Sequence, residues 1–270
     1  MTNQPWAHPL FHAVSGGEWH PGGAAATERL WRACRAALAD GGEPAGGRNG
    51  GRPLRVVDTG CGEGAAAWRL AADGQTVVAL DRTPQPGWRQ PPSAAAGLAR
   101  PFFCTADVRH IPLPDGWADV VLCQCVASLL PRPESFFAEA ARVLRPGGAL
   151  GFSDLMRRGP TASPAACGTA RAAGTLPETP AEAVSGGCAA GARSRETWER
   201  LLREAGFRLL SFADESRELA RLAARLIWYG DGASLHALGL RCASGPTAPG
   251  SPASRPGYGV WVAVNARRTA

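Results

Sequence analysis

The 270-residue chain predicts an α/β fold, an open sheet with a layer of helices on each face. Three observations carry this. Short β-branched runs alternate with helical periodicity, the order in which a parallel sheet with crossover helices is built. The first run, Arg55-Val56-Val57-Asp58-Thr59, opens into Gly60-Cys61-Gly62-Glu63-Gly64 and an alanine-rich helix pattern over 65–70. The next two runs end in acids, Asp81 and Asp107, and ligands on such sheets sit outside the carboxyl ends of the strands.

In chain order, His20-Pro21-Gly22-Gly23 and Thr27 introduce a helix that runs through Leu38, and the Gly-rich stretch 40–52 leads flexibly into the first strand. Residues 75–81 form the second strand and 102–108 the third. The turn Leu113-Pro114-Asp115-Gly116 precedes a fourth strand over 118–125. An amphipathic helix over 134–144 stops at Arg145-Pro146-Gly147-Gly148, and 149–154 is the fifth strand. Residues 158–187 are rich in small residues with little periodicity. Ser194 caps a helix over 195–205 that ends at Gly206, 207–213 is the sixth strand, and Leu219, Leu222, Ala223 and Leu226 mark one face of a helix over 215–229. A Pro/Ser/Gly loop over 244–256 precedes the last of seven strands, 257–264.

The glycine loop between strand and helix suits a polar cofactor. Glycine permits close approach of a ligand to the main chain, and the unpaired N–H groups of the following helix attract negative charge. The nicotinamide or flavin spacing G-x-G-x-x-G/A is met by Gly60, Gly62 and Ala65. Against that reading, Asp58 stands where a pyrophosphate would meet a carboxylate and where an ammonium would be welcome, and the third glycine is Gly64. With the acids that follow and Leu144-Arg145-Pro146-Gly147-Gly148, the chain resembles the class I S-adenosylmethionine-dependent methyltransferases, specifically across 54–155 and more loosely across 186–264.

The resemblance implies a Rossmann-like doubly wound seven-stranded sheet in three αβα layers, mostly parallel with an antiparallel last strand. It implies S-adenosyl-L-methionine as cofactor. Gly60, Gly62 and Gly64 would cradle its methionine part, Asp58 would fix the loop and the ammonium, Asp81 would hold the ribose, Asp107 with Val108 the adenine, and Gln124 would border the methyl. Residues 1–50 would be a helical lead over the cofactor site. Residues 51–270 would be the methyltransferase domain, with an irregular insertion around 158–193 and the flexible loop 244–256.

Eight cysteines in a chain of this length do not make a disulfide scaffold. Cys188, in Gly187-Cys188-Ala189-Ala190-Gly191-Ala192, resembles the Cys-x-x-Gly-Ala segment of arsenite methyltransferases, which implies a thiolate ligand for a soft acceptor, with Cys167 and Cys242 as further candidates. The cysteine those enzymes commonly carry just past the glycine loop is replaced here by Ala65, Ala66 and Ala67. Cys34 and Cys104 read as core, Cys61 as a small filler, and Cys123 and Cys125 as one face of a strand opposite Gln124. His20 and His110 border the predicted pocket or lie on the surface, and no cysteine–histidine spacing predicts a metal site.

The net charge of +6 comes from a chain without lysine, whose 29 basic residues are arginines scattered without aromatic interleaving, so no nucleic-acid partner is expected. No apolar run reaches the ~20 residues of a membrane span and no secretory pattern opens the chain, which predicts a cytoplasmic protein. The expected function is methyl transfer to a small-molecule acceptor, including soft thiol- or arsenic-type nucleophiles. The alternatives are a non-catalytic S-adenosylmethionine-binding module and a nicotinamide-dependent oxidoreductase.

Overall fold

Val56 and Val57 are neighbours in strand β1 (Arg55–Thr59) and enter different cores, because successive strand side chains point to opposite faces. Val56 packs with Leu30, Trp31, Cys34 and Leu70 on one face. Val57 packs with Phe136, Phe137 and Trp198 on the other. The computed structural model describes residues 9–15, 18–40, 52–90, 99–159, 190–229 and 255–267. Helices α1 (Pro9–Ser15) and α2 (Gly23–Asp40) precede β1. After it come α3 (Ala65–Ala72), β2 (Thr76–Asp81), β3 (Phe102–Thr105), β4 (Ala118–Gln124), α4 (Pro133–Val143) and β5 (Leu144–Arg158). The described chain resumes with β6 (Arg193–Ser194), α5 (Arg195–Glu204), β7 (Phe207–Asp214), α6 (Ser216–Trp228) and β8 (Arg255–Asn265).

The sheet order is β3-β2-β1-β4-β5-β8-β7. The strands from β3 to β5 pair in parallel, and β8 is inserted antiparallel between β5 and β7. Helices α2 and α3 cover one face and α4 and α5 the other, so the three-layer αβα arrangement with an antiparallel last strand is as expected. The predicted seven strands become eight: β6 adds two residues parallel to β5 at Met156 and Arg157, too short a piece for periodicity to reveal.

Three boundaries differ from the sequence reading. β3 ends at Thr105 and Asp107 lies in the turn beyond it, where the Asp107 carboxylate accepts from the backbone N–H of Arg109 at 2.9 Å and so competes with extended pairing. β5 begins at Leu144 directly after α4 and continues to Arg158, so Asp154 lies within a strand and not at its end. The N-terminal region holds α1 besides the predicted helix, and Phe11 and Val14 of α1 pack against Leu222 and Leu226 of α6. The Ser194 cap is as predicted, its hydroxyl accepting from the Thr197 N–H at 3.2 Å. No helix among the described residues is long and apolar enough to cross a membrane.

Candidate functional site

At the carboxyl end of β1 the chain reverses tightly. The N–H groups of Gly60 and Cys61 both donate to the Leu80 carbonyl, at 2.7 and 3.0 Å, which docks the loop on β2. Gly60, Gly62 and Gly64 all have positive φ (69°, 51° and 84°), the left-handed region that favours glycine. Their neighbours press on them as well. A Cβ on Gly60 would collide with Val126, and one on Gly62 would lie 2.8 Å from the Trp19 ring. Trp88, in a 3-10 turn over Pro86–Trp88, donates its indole N–H to the Gly62 carbonyl at 2.8 Å and stacks on Phe103 with ring centroids 5.2 Å apart.

The predicted acids are in different electrostatic states. Asp58 is 4% exposed, its Oδ2 has no hydrogen-bond partner, and burial, followed by the charge of Glu18, pushes its carboxyl up to about 7. Asp81 accepts from the N–H of Gly62 at 3.1 Å and from that of Thr83 at 3.1 Å, so it ties the end of β2 to the glycine loop. Asp107 is forked on Arg109, with Oδ1 to Nε at 3.0 Å and Oδ2 to a terminal nitrogen at 2.7 Å. That pairing holds its carboxyl at about 2. Val108 is buried in the core beside it.

One cavity gathers part of this set. Asp58, Gly60, Gly62 and Gln124 line it with Cys61, Glu63 and the first residues of α3, Ala65 and Ala66. Gly64, Asp81, Asp107 and Val108 are not part of that lining. The remaining wall comes from the N-terminal lead through Glu18, Trp19 and His20. Sequence reasoning found His20 and missed Glu18 and Trp19, which belong to no periodic pattern. His20 is buried, with Nδ1 3.1 Å from the Pro21 carbonyl oxygen and Nε2 3.0 Å from Glu18 Oε2. Thr27 joins the group, with its hydroxyl 3.1 Å from His20 Nε2, 3.3 Å from Glu18 Oε2 and 3.3 Å from Gln124 Oε1. The Arg69 guanidinium lies 2.9 Å from Glu18 Oε1. Burial by itself would raise the Glu18 carboxyl, but His20, Arg69 and Thr27 outweigh it and hold it below its ordinary value.

The cysteines fall largely on bland roles. Cys34 and Cys123 are buried in the two cores and Cys104 is half-buried at the edge of one. Burial, with Asp58 and Asp81 nearby, raises the Cys61 thiol, so Cys61 stays protonated and fills the loop. Cys125 leaves β4 with a φ of 57° and packs near Tyr258 and Leu155, apart from Cys123. No group of three or more metal-ligating side chains occurs among the described residues. His110 is exposed. Cys188, Cys167 and Cys242 lie outside the described residues.

Residues 57–152, the stretch that builds the loop, the acids and Gln124, match the family described as "Methyltransferase domain". Over that stretch the chain is similar to the class I S-adenosylmethionine-dependent methyltransferases. The chain around it is 30% identical over 170 residues to the arsenite methyltransferase of Halobacterium salinarum, covering 60% of this chain and 40% of that one. It is 31% identical over 180 residues to methyltransferase GfsG of Streptomyces halstedii, covering 61% and 56%. The chain thus spans about half the length of the curated relatives it matches. The chain shares its fold with the [4+2]-cyclase SpnF at a TM-score of 0.64 and 20% identity, over 97% of this chain and 93% of that one.

Proposed function

We propose that the chain transfers a methyl group from S-adenosyl-L-methionine to a small-molecule acceptor, and that the cavity beneath the N-terminal lead receives the methionine end of that cofactor. The observation that carries this reading is Asp58. A carboxylate 4% exposed, with one oxygen unpartnered, on the lining of the cavity that Gly60 and Gly62 also line, is costly to bury and fits a ligand that brings an ammonium. Bound S-adenosylmethionine supplies an electrophilic methyl on a sulfonium. The chain's own residues supply position and exclusion of water. In this reading the loop of Gly60, Gly62 and Gly64 cradles the methionine part, and Asp58 pairs with its ammonium. Asp81 accepts from the ribose while holding the Gly62 N–H, Asp107 and Val108 face the adenine, and Gln124 borders the transferred group.

The acceptor class is a soft nucleophile, a thiol or trivalent arsenic, bound through Cys188. Support comes from the Cys-x-x-Gly-Ala resemblance and from a relative named arsenite methyltransferase. A thiolate or an arsenic lone pair attacks without a general base.

Calorimetry with S-adenosylmethionine tests the cofactor. Micromolar binding is expected, weakened at least about tenfold in Asp81→Ala, an effect of roughly 1.4 kcal/mol or more. Titration with a nicotinamide dinucleotide is expected to give no heat, and the reverse pattern rejects the proposal. Turnover is a separate readout, since a protein of the same fold is named a cyclase. Methyl transfer to arsenite that falls at least about tenfold in Cys188→Ser, with cofactor binding unchanged, is the expected result for the soft-acceptor assignment.

A further inference from the structure

Donors from three places in the chain converge on the Glu18 carboxylate, which is itself buried at 4% exposure. His20 of the lead reaches Oε2 at 3.0 Å, Thr27 of α2 reaches the same oxygen at 3.3 Å, and Arg69 of α3 lies 2.9 Å from Oε1. Oε1 accepts no well-directed hydrogen bond, so Arg69 acts on it as an ionic partner. On the wall of the same cavity stands Asp58, buried, with Oδ2 unpartnered. Two buried carboxylates on the lining of one cavity, one surrounded by donors and the other with an unpartnered oxygen and no ion pair among the described residues, are a poor electrostatic arrangement by themselves. They match the two ends of an α-amino acid, whose carboxylate needs the donors and whose ammonium needs Asp58.

We propose that His20, Thr27 and Arg69 form a seat for the carboxylate of an α-amino-acid group, and that Glu18 is an internal occupant which that group displaces. The inference rests on the cavity's reading as the site for the methionine end of the cofactor. Exchange of one carboxylate for another leaves the charge on the seat unchanged. It removes the Glu18 charge from beside Asp58 and brings an ammonium in its place. Glu18 thereby sets a threshold for binding: a ligand with both groups gains the seat and relieves Asp58, and a ligand without a carboxylate leaves Glu18 where it is. An occupant that fills the seat most of the time lowers apparent affinity by the fraction of time the seat is open.

The test is calorimetry of the full chain with S-adenosylhomocysteine and with its decarboxylated analogue, which keeps the amine and lacks the carboxylate. Glu18→Ala is expected to bind S-adenosylhomocysteine about tenfold more tightly than the unaltered chain and to gain nothing for the decarboxylated analogue. Glu18→Gln, which keeps shape and loses charge, is expected to shift in the same sense and serves if Glu18→Ala does not fold. Arg69→Gln is expected to weaken S-adenosylhomocysteine several-fold and the analogue little. Weaker or unchanged binding of S-adenosylhomocysteine by a folded Glu18 variant overturns the displacement, as does equal tightening of both ligands. Absence of binding by every variant and by the unaltered chain overturns the cofactor reading and the seat with it.

Discussion

Asp58 is ordinary in the sequence, an acid after two valines, and becomes exceptional through its burial. Its carboxyl is pushed up to about 7 by desolvation and by Glu18, against an ordinary value near 3.8. An acid raised in the folded state binds a proton that the unfolded chain has already released. The stability tied to that proton is present in full below about 3.8 and is lost as pH rises through about 7. Urea unfolding of the unaltered chain and of Asp58→Asn between pH 4 and pH 8 checks this. The variant is expected to gain on the unaltered chain as pH rises, by up to ~1.4 kcal/mol per pH unit across the window, and to hold a constant advantage above it. A gap between the two proteins that does not change with pH would contradict the assignment. Asp107 has the opposite character: Arg109 pairs with it and keeps it ionised.

At the scale of elements, the local signals act as their chemistry dictates. Ser194 begins α5 because its hydroxyl satisfies the Thr197 N–H, one of the donors that the first turn leaves unpaired. Ser194→Ala is expected to cost about 1 kcal/mol by thermal or urea unfolding and to leave cofactor affinity unchanged, since α5 lies outside the cavity lining. Gly206 follows that helix in a left-handed conformation, φ 92°, as a helix-ending glycine should. The end of β3 shows the limit of such reading. An apolar run from Phe102 looks continuous through Val108, yet the Asp107 side chain closes a turn on Arg109 and the strand stops at Thr105.

For the whole molecule, β8 is the keystone of the sheet's far half, because it pairs with both β5 and β7. Its Trp261 is fully buried, stacked on Phe152 with centroids 5.0 Å apart and packed on Phe212 at 5.1 Å. Trp261→Ala is expected to cost roughly 3–5 kcal/mol, read as a lowered urea midpoint, because the cavity it leaves lies between strands that cannot collapse inward independently.

The glycine loop, the alternation of strands and helices, the apolar faces and the Ser194 cap were legible from residues 54–155 and 194–264, because each depends on interactions within a few positions of itself. The family resemblance added the antiparallel strand, which no local pattern announces. What the chain alone could not reveal is the surrounding of Asp58. Glu18 precedes it by forty positions and Arg69 follows in the next helix, and neither carries a periodic or motif signal. Tertiary structure decided that Glu18, Trp19 and His20 line the same cavity as the glycine loop, that Glu18 lies on His20, Thr27 and Arg69, and that Cys125 turns away from Cys123. The physical reason is the same in each case. Backbone preference and hydrophobic period are local properties of a sequence, whereas burial of a charge and the partners that offset it exist only once distant segments pack together.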